Sequence, residues 1–140
     1  MPRNRIPKKN SKWYLPKYEY RTVVNFCLSY YSVRERLAGL GGVRAQALDG
    51  MPHGTDLSDP TAREALIRSW LTEKLMLIEG TVREVCGDYL YQPMLMAVTR
   101  DDITIEQIMA RFSVPMGRSQ FINLRRKVYW TMYNRYEKML

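Results

Sequence analysis

Residues 104–132, TIEQIMARFSVPMGRSQFINLRRKVYWTM, read as a short helix, a tight turn and a second, basic helix. Thr104 suits the N-cap because its hydroxyl can accept a backbone amide. Gln107, three residues on, can reach back to the N–H of the cap, so TIEQ is a capping-box signature. Ile105, Ile108, Met109 and Phe112 supply one apolar face at helical spacing. Residues 113–117 (SVPMG) are expected to stop this helix: Pro115 disfavours helical geometry at the residue before it, and Gly117 can take a positive φ at little steric cost. Beyond the turn, Phe121, Leu124, Val128 and Met132 recur at helical spacing and can bury against the first helix. Arg118, Gln120, Ile122, Asn123, Arg126 and Lys127 fall on other faces. This is the layout of a helix-turn-helix DNA reader.

The chemistry of those outward residues sorts them into roles. Gln120 and Asn123 suit the edge of adenine, Arg118 and Arg126 suit guanine, and the Ser119 hydroxyl can serve either, which makes these five the expected base-reading set. Arg125, Lys127 and Arg135 are expected on phosphates, where they set register rather than sequence. The formal net charge of the chain is +8. It is concentrated at the two ends: residues 1–17 carry +6 with no acid, and residues 115–140 carry +5, leaving −3 for the residues between. Duplex DNA is a natural partner for such a distribution, because neutralised phosphates release condensed counterions and supply affinity at any sequence. Solvated basic faces that keep the protein soluble are the plainer alternative.

The amino-terminal stretch, residues 1–17, mixes Pro2, Pro7 and Pro16 with lysines and arginines and cannot order itself by burying its own apolar surface. It reads as a flexible basic arm, with Arg3, Arg5, Lys8 and Lys9 as further candidates for phosphates. Trp13, Tyr14 and Leu15 can pin its end onto the domain. Residues 18–102 are expected to form a helical unit, and residues 103–140 the reader module. Within the first, a helix from Tyr18 to about Leu40 is ended by Gly39, Gly41 and Gly42. Its face includes Tyr30 and Tyr31, read as core rather than as a platform for stacking bases. A loop over residues 41–59 follows, with a turn of helix around Arg44 to Leu48 as an alternative within it, and it contains His53, an exposed bystander. Asp59 and Pro60 then start a long helix running to about Cys86. Its apolar face carries Ile67, Leu71, Leu75, Ile78, Val82 and Val85, broadened by Leu66, Trp70 and Leu77. That width serves either packing within the chain or pairing with a second copy, and Gly80 either admits a neighbouring helix or is simply tolerated. Gly87 and Asp88 end the helix, and Tyr89 to Val98 form a short apolar one near Pro93. Half-buried alternating strands are hard to find, so the fold class is all-α.

Several function classes drop out. No phosphate-binding glycine loop, HExxH, nucleophile elbow or paired-carboxylate motif is present, so no catalytic residue and no enzyme are expected. Cys27, Cys86 and His53 lack the spacing of a zinc site, and neither metal nor cofactor is expected. The cysteines sit in apolar helical patterns and read as free thiols in a reducing cytoplasm. No run approaches about 18 uncharged apolar residues, and no secretory signal opens the chain, so no membrane partner is expected.

The pattern T-I-E-Q-I-x-x-x-F-x-V, a turn, then R-x-x-F-x-x-L-R-R-K resembles the fourth region of bacterial sigma factors, with a turn about two residues longer at Met116 and Gly117. Residues 50–65, GMPHGTDLSDPTAREA, followed by a long helix and this carboxy-terminal pattern, resemble small phage transcription regulators of the RinA and ArpU type. The two together span roughly the last two thirds of the chain. The resemblance implies control of late phage or prophage genes in the cytoplasm of a bacterial host, and admits contact with RNA polymerase and a homodimer on two DNA half-sites. Two competitors remain: a phage small-terminase-like DNA-packaging recognition subunit, and a protein whose basic ends bind an acidic partner other than DNA.

Overall fold

The computed structural model describes residues 7–48 and 58–137, and within them the protein is all-α. Five helices follow in chain order: α1 (Lys17–Leu28), α2 (Tyr30–Leu48), α3 (Ser58–Thr99), α4 (Ile105–Phe112) and α5 (Arg118–Tyr136). The long α3 is the spine, with α2 and α5 as its main neighbours and α1 wedged between α3 and α5. No helix among the described residues is long and apolar enough to cross a membrane.

The single helix expected from Tyr18 to Leu40 is two helices. Tyr20, Val23, Val24, Phe26 and Cys27 give α1 its buried side, and the break falls at Ser29. There the backbone N–H donates to the carbonyls of both Asn25 and Phe26 at 3.2 Å, and the hydroxyl donates to the Phe26 carbonyl at 2.6 Å. Serine offers the backbone this local alternative to regular helix bonding. The glycines expected to stop the helix do not: α2 runs through Gly39, Gly41 and Gly42 to Leu48, so it takes the first part of the stretch expected as a loop over 41–59. A glycine costs a helix about 1 kcal/mol relative to alanine, which weakens it without terminating it. Residues 49–57, with the rest of that loop and His53, lie outside the described residues.

α3 starts at Ser58, one residue before the expected cap, and continues past the expected end at Cys86. It holds two limbs joined at Gly87, whose φ of 71° and ψ of 173° are not helical. The expected break is therefore present as a kink, and Tyr89 to Val98 form most of the second limb. Pro93 sits inside that limb and removes one bond to the Tyr89 carbonyl. Tyr89 is exposed, so water can take the donor's place. No neighbour among the described residues lies within 4 Å of where a Cβ on Gly80 would stand. That glycine is tolerated rather than required by a close helix.

One apolar core spans all the helices but draws on particular faces. Val23 and Cys27 of α1 meet Ile78, Val82, Met94 and Val98 of α3, Ile105 and Ile108 of α4, and Phe121, Val128, Tyr129 and Met132 of α5. Tyr20 and Tyr129 pack edge to face at 5.5 Å, and the Cys27 thiol lies 3.6 Å from the Met132 sulfur. The helices of the stretch expected as the reader module over 103–140 share a core with the helices before it. Tyr20 and Tyr30 are core residues, whereas Tyr31, also expected in the core, is exposed and packs edge to face on Tyr30 at 5.2 Å. The Tyr30 hydroxyl donates to Glu79 of α3. Burial and that carboxylate both push the Tyr30 pKa up. The buried rings of Tyr20 and Tyr30 offer no face for a base to stack on.

Candidate nucleic-acid interface

The first helix of the pair is capped as its sequence predicts. Thr104 Oγ1 accepts from the Gln107 N–H at 3.2 Å, and Gln107 Oε1 accepts from the Thr104 N–H at 2.9 Å. Ile105 and Ile108 are buried, and Met109 and Phe112 half-buried against them. The stop differs from expectation. The positive φ belongs to Ser113 (φ 49°, ψ 50°), not to Gly117. Val114 N–H donates back to the Met109 carbonyl at 3.0 Å and Ser113 N–H to Ala110 at 3.4 Å, the bonding of a left-handed C-cap. Pro115 explains the position: it disfavours helical geometry at Val114, so the left-handed residue must come before it. Gly117 instead takes an extended conformation (φ −71°, ψ 160°) as the N-cap of α5.

α5 then presents its amino-terminal turns to solvent. Arg118, Ser119, Gln120 and Asn123 are exposed, and Arg126 and Lys127 are half-buried. Phe121, Val128 and Met132 are fully buried with Leu124 beside them, as their spacing predicts. The outward groups are partly engaged with one another. Gln120 Oε1 accepts from the Gly117 N–H at 3.3 Å, closing the start of the helix. Arg126 donates to Asn123 Oδ1 at 3.3 Å. Arg118 pairs with Glu106 of α4, so it reaches a base only by leaving that carboxylate. The pair is well exposed on both sides, so solvent and salt screen it and it is a weak tether. Glu106 is held below the ordinary glutamate range, first by a backbone hydrogen bond and next by Arg118.

Two residues expected on phosphates are placed otherwise. Arg125 is only 3% exposed; its charge opposes the rise that burial imposes on the Tyr20 pKa. From that position it does not meet a phosphate. The reason was available in the spacing, since 121, 125, 128 and 132 share one helical face. Arg135 is exposed but pairs with Glu84 of α3, which ties the end of α5 to the spine. Lys127 keeps an outward position, its ammonium 5.3 Å from the centre of the Trp13 ring. Lys8 and Lys9 are exposed. Arg3 and Arg5 lie outside the described residues.

The end of the arm is pinned onto the domain as expected, and burial reaches further back along it, to Pro7. Pro7 is buried, Leu15 is 4% exposed and belongs to the core, and Trp13 meets Trp130 of α5 edge to face at 5.3 Å. Lys12, absent from the expected set, has its ammonium 5.0 Å from the same Trp13 ring. The signal for this was a lone tryptophan among prolines and lysines: such a residue must find a hydrophobic partner elsewhere.

Comparison with protein-family models, with curated proteins and with solved structures gives no match. The site therefore rests on its own geometry: a helix end rich in amide and guanidinium groups, held outward on a buried apolar face and flanked by lysines.

Proposed function

We propose that this protein is a sequence-specific DNA-binding transcription regulator of phage or prophage late genes. In this reading the amino-terminal half of α5 enters the major groove. The observation that carries it is the placement of Arg118, Ser119, Gln120 and Asn123 together on the exposed end of α5, directly after a compact turn, while the opposite face of the helix is core. Amide and guanidinium groups at a helix end match the donor and acceptor pattern of base edges there. Asn123 and Gln120 are assigned to adenine and Arg118 and Arg126 to guanine; Ser119 contributes its hydroxyl, and Lys127 holds a phosphate. The protein works by binding, in the cytoplasm of a bacterial host, with no catalytic step. The resemblance to the fourth sigma region and to the RinA and ArpU regulators supports the phage setting and extends it to contact with RNA polymerase.

Selection of bound sequences from random duplexes at physiological salt tests the proposal. An enriched motif is expected, and a palindromic one would add a homodimer. Binding with neither sequence enrichment nor salt dependence would overturn it in favour of an acidic partner other than DNA.

A second reading draws on one feature of α3. Leu66, Trp70 and Met76 are exposed on its first limb, which suits a helix that assembles with copies of itself, as in a DNA-packaging recognition subunit. Light scattering separates the two: a monomer or dimer supports the regulator, and a closed ring of roughly eight to eleven copies supports packaging.

A further inference from the structure

The described part of the amino-terminal arm lies against the helix that carries the candidate base-reading groups. Pro7 is buried at one end and Leu15 joins the core at the other. Between them Ser11 N–H donates to the Lys8 carbonyl at 2.8 Å, closing a turn that leaves Lys8 and Lys9 exposed. Trp13 sits on Trp130, and the ammonium groups of Lys12, from the arm, and Lys127, from α5, both lie over the Trp13 ring, at 5.0 and 5.3 Å. Arm and helix are joined by an aromatic clasp whose two associated cations come one from each.

Charge distinguishes this element from the rest of the surface. Arg118 and Arg135 are paired with carboxylates, whereas among the described residues no ion pair involves Lys8, Lys9, Lys12 or Lys127. Residues 1–17 contain no acid to neutralise them. Distance supports a shared target. Asn123 and Trp130 are separated by about 10 Å along the axis at 1.5 Å per residue, and the major groove is about 12 Å wide. If Asn123 reads a base edge, the clasp stands near the strand that borders the groove.

We propose that residues 7–17 are a second DNA-contacting element, positioned by Trp13 on Trp130, in which Lys8, Lys9 and Lys12 bind phosphates beside the groove occupied by α5. This rests on the DNA-binding reading above and adds a fixed, pre-ordered contact to it. Holding the lysines in place before binding lowers the ordering cost that a loose arm would carry. Trp13 is a positioning residue that touches no phosphate itself.

The test is the salt dependence of binding to a mixed-sequence duplex of about 30 base pairs, roughly three helical turns, followed by fluorescence anisotropy. Each phosphate contact contributes about 0.9 to the slope of log K against log salt. The triple variant Lys8→Gln, Lys9→Gln, Lys12→Gln should reduce the slope by about 2.7 and weaken binding on the order of 100-fold near 0.15 M salt. Trp13→Ala removes no charge, yet it should also reduce the slope, and Trp13→Phe should restore most of it. Thermal melting confirms that the variants are folded. Independently of any variant, acetylation of Lys8, Lys9 and Lys12 in the intact protein should be suppressed by the duplex. A triple variant with the full slope, or lysines acetylated equally with and without DNA, would overturn the proposal while leaving the DNA-binding reading intact. A Trp13→Ala protein that keeps the full slope while the triple variant loses it would refute the positioning role. Absence of salt-dependent duplex binding by the unaltered protein would bring down both readings.

Discussion

Replacing Gly87 with alanine should destabilise the protein, whereas the same replacement at Gly80, seven residues earlier on α3, should stabilise it. Apart from the adjacent backbone of the helix itself, no described atom lies within 4 Å of a Cβ built at either position, so packing cancels from the comparison and the backbone decides. Gly80 has helical geometry in an exposed helix interior. Alanine there gains about 0.5–1 kcal/mol, because glycine has more chain freedom to lose on folding. Gly87 holds φ 71° and ψ 173° at the kink, a region nearly reserved for glycine, where another residue is strained by about 1–3 kcal/mol. The two variants should therefore differ by about 1.5–4 kcal/mol with opposite signs. At about 3 °C per kcal/mol for a chain of this size, Gly80→Ala should raise Tm by about 2–3 °C and Gly87→Ala lower it by about 3–9 °C. Denaturant titration with an unchanged m-value would show that neither state has changed its compactness, so that the shifted midpoint reports stability. The second limb of α3, which begins at this kink, supplies Met94 and Val98 to the core beside Ile105 and Ile108 of α4. A Gly87→Ala protein at least as stable as its parent would show that α3 passes through residue 87 without the kink, and the account of how α4 is placed would fail.

Four further outcomes are expected. Thr104→Ala should cost about 1 kcal/mol by removing the hydroxyl that caps α4, and an unchanged urea midpoint would show the capping box to be unimportant. Asn123→Ala should cost about 1–3 kcal/mol of DNA binding and relax preference at a single base pair, whereas Lys127→Gln should weaken all sequences alike and lower the salt slope by about 1; uniform losses from both in a sequence-resolved binding assay would refute the division of roles. Because Glu106 is held below the ordinary glutamate range, its contribution to stability is present above the unfolded pKa and lost as pH falls through the lowered one. Its carboxyl signal in an NMR titration should accordingly have a low midpoint, and Arg118→Ala should raise it only part way, since the backbone hydrogen bond remains; no change would mean the pair does not form in solution. Burial pushes the Cys86 thiol up to about 12 and drives that of Cys27 up as well, so alkylation near pH 8 should leave Cys27 unmodified and reach half-buried Cys86 only slowly until the protein unfolds. Rapid labelling of Cys27 in the native protein would contradict its place in the core.

The all-α class, the capped start of α4, the bend before α5 and the interruption at Gly87 were legible in the sequence, because each is governed by residues within a turn or two of one another. The burial of Arg125 was legible in principle through the shared face of residues 121, 125, 128 and 132, but its charge argued for the surface. Tertiary structure decided what local rules leave open. Helix α2 runs on through its glycines because a cost of about 1 kcal/mol per glycine weakens a helix without ending it. The carboxylates that meet Arg118 and Arg135 lie 12 and 51 residues away, and Trp13 finds Trp130 from the opposite end of the chain. Periodicity along the sequence identifies which face of a helix seeks burial. It does not identify the partner of a cation or of an isolated aromatic ring, because that depends on which distant surfaces the common core brings together.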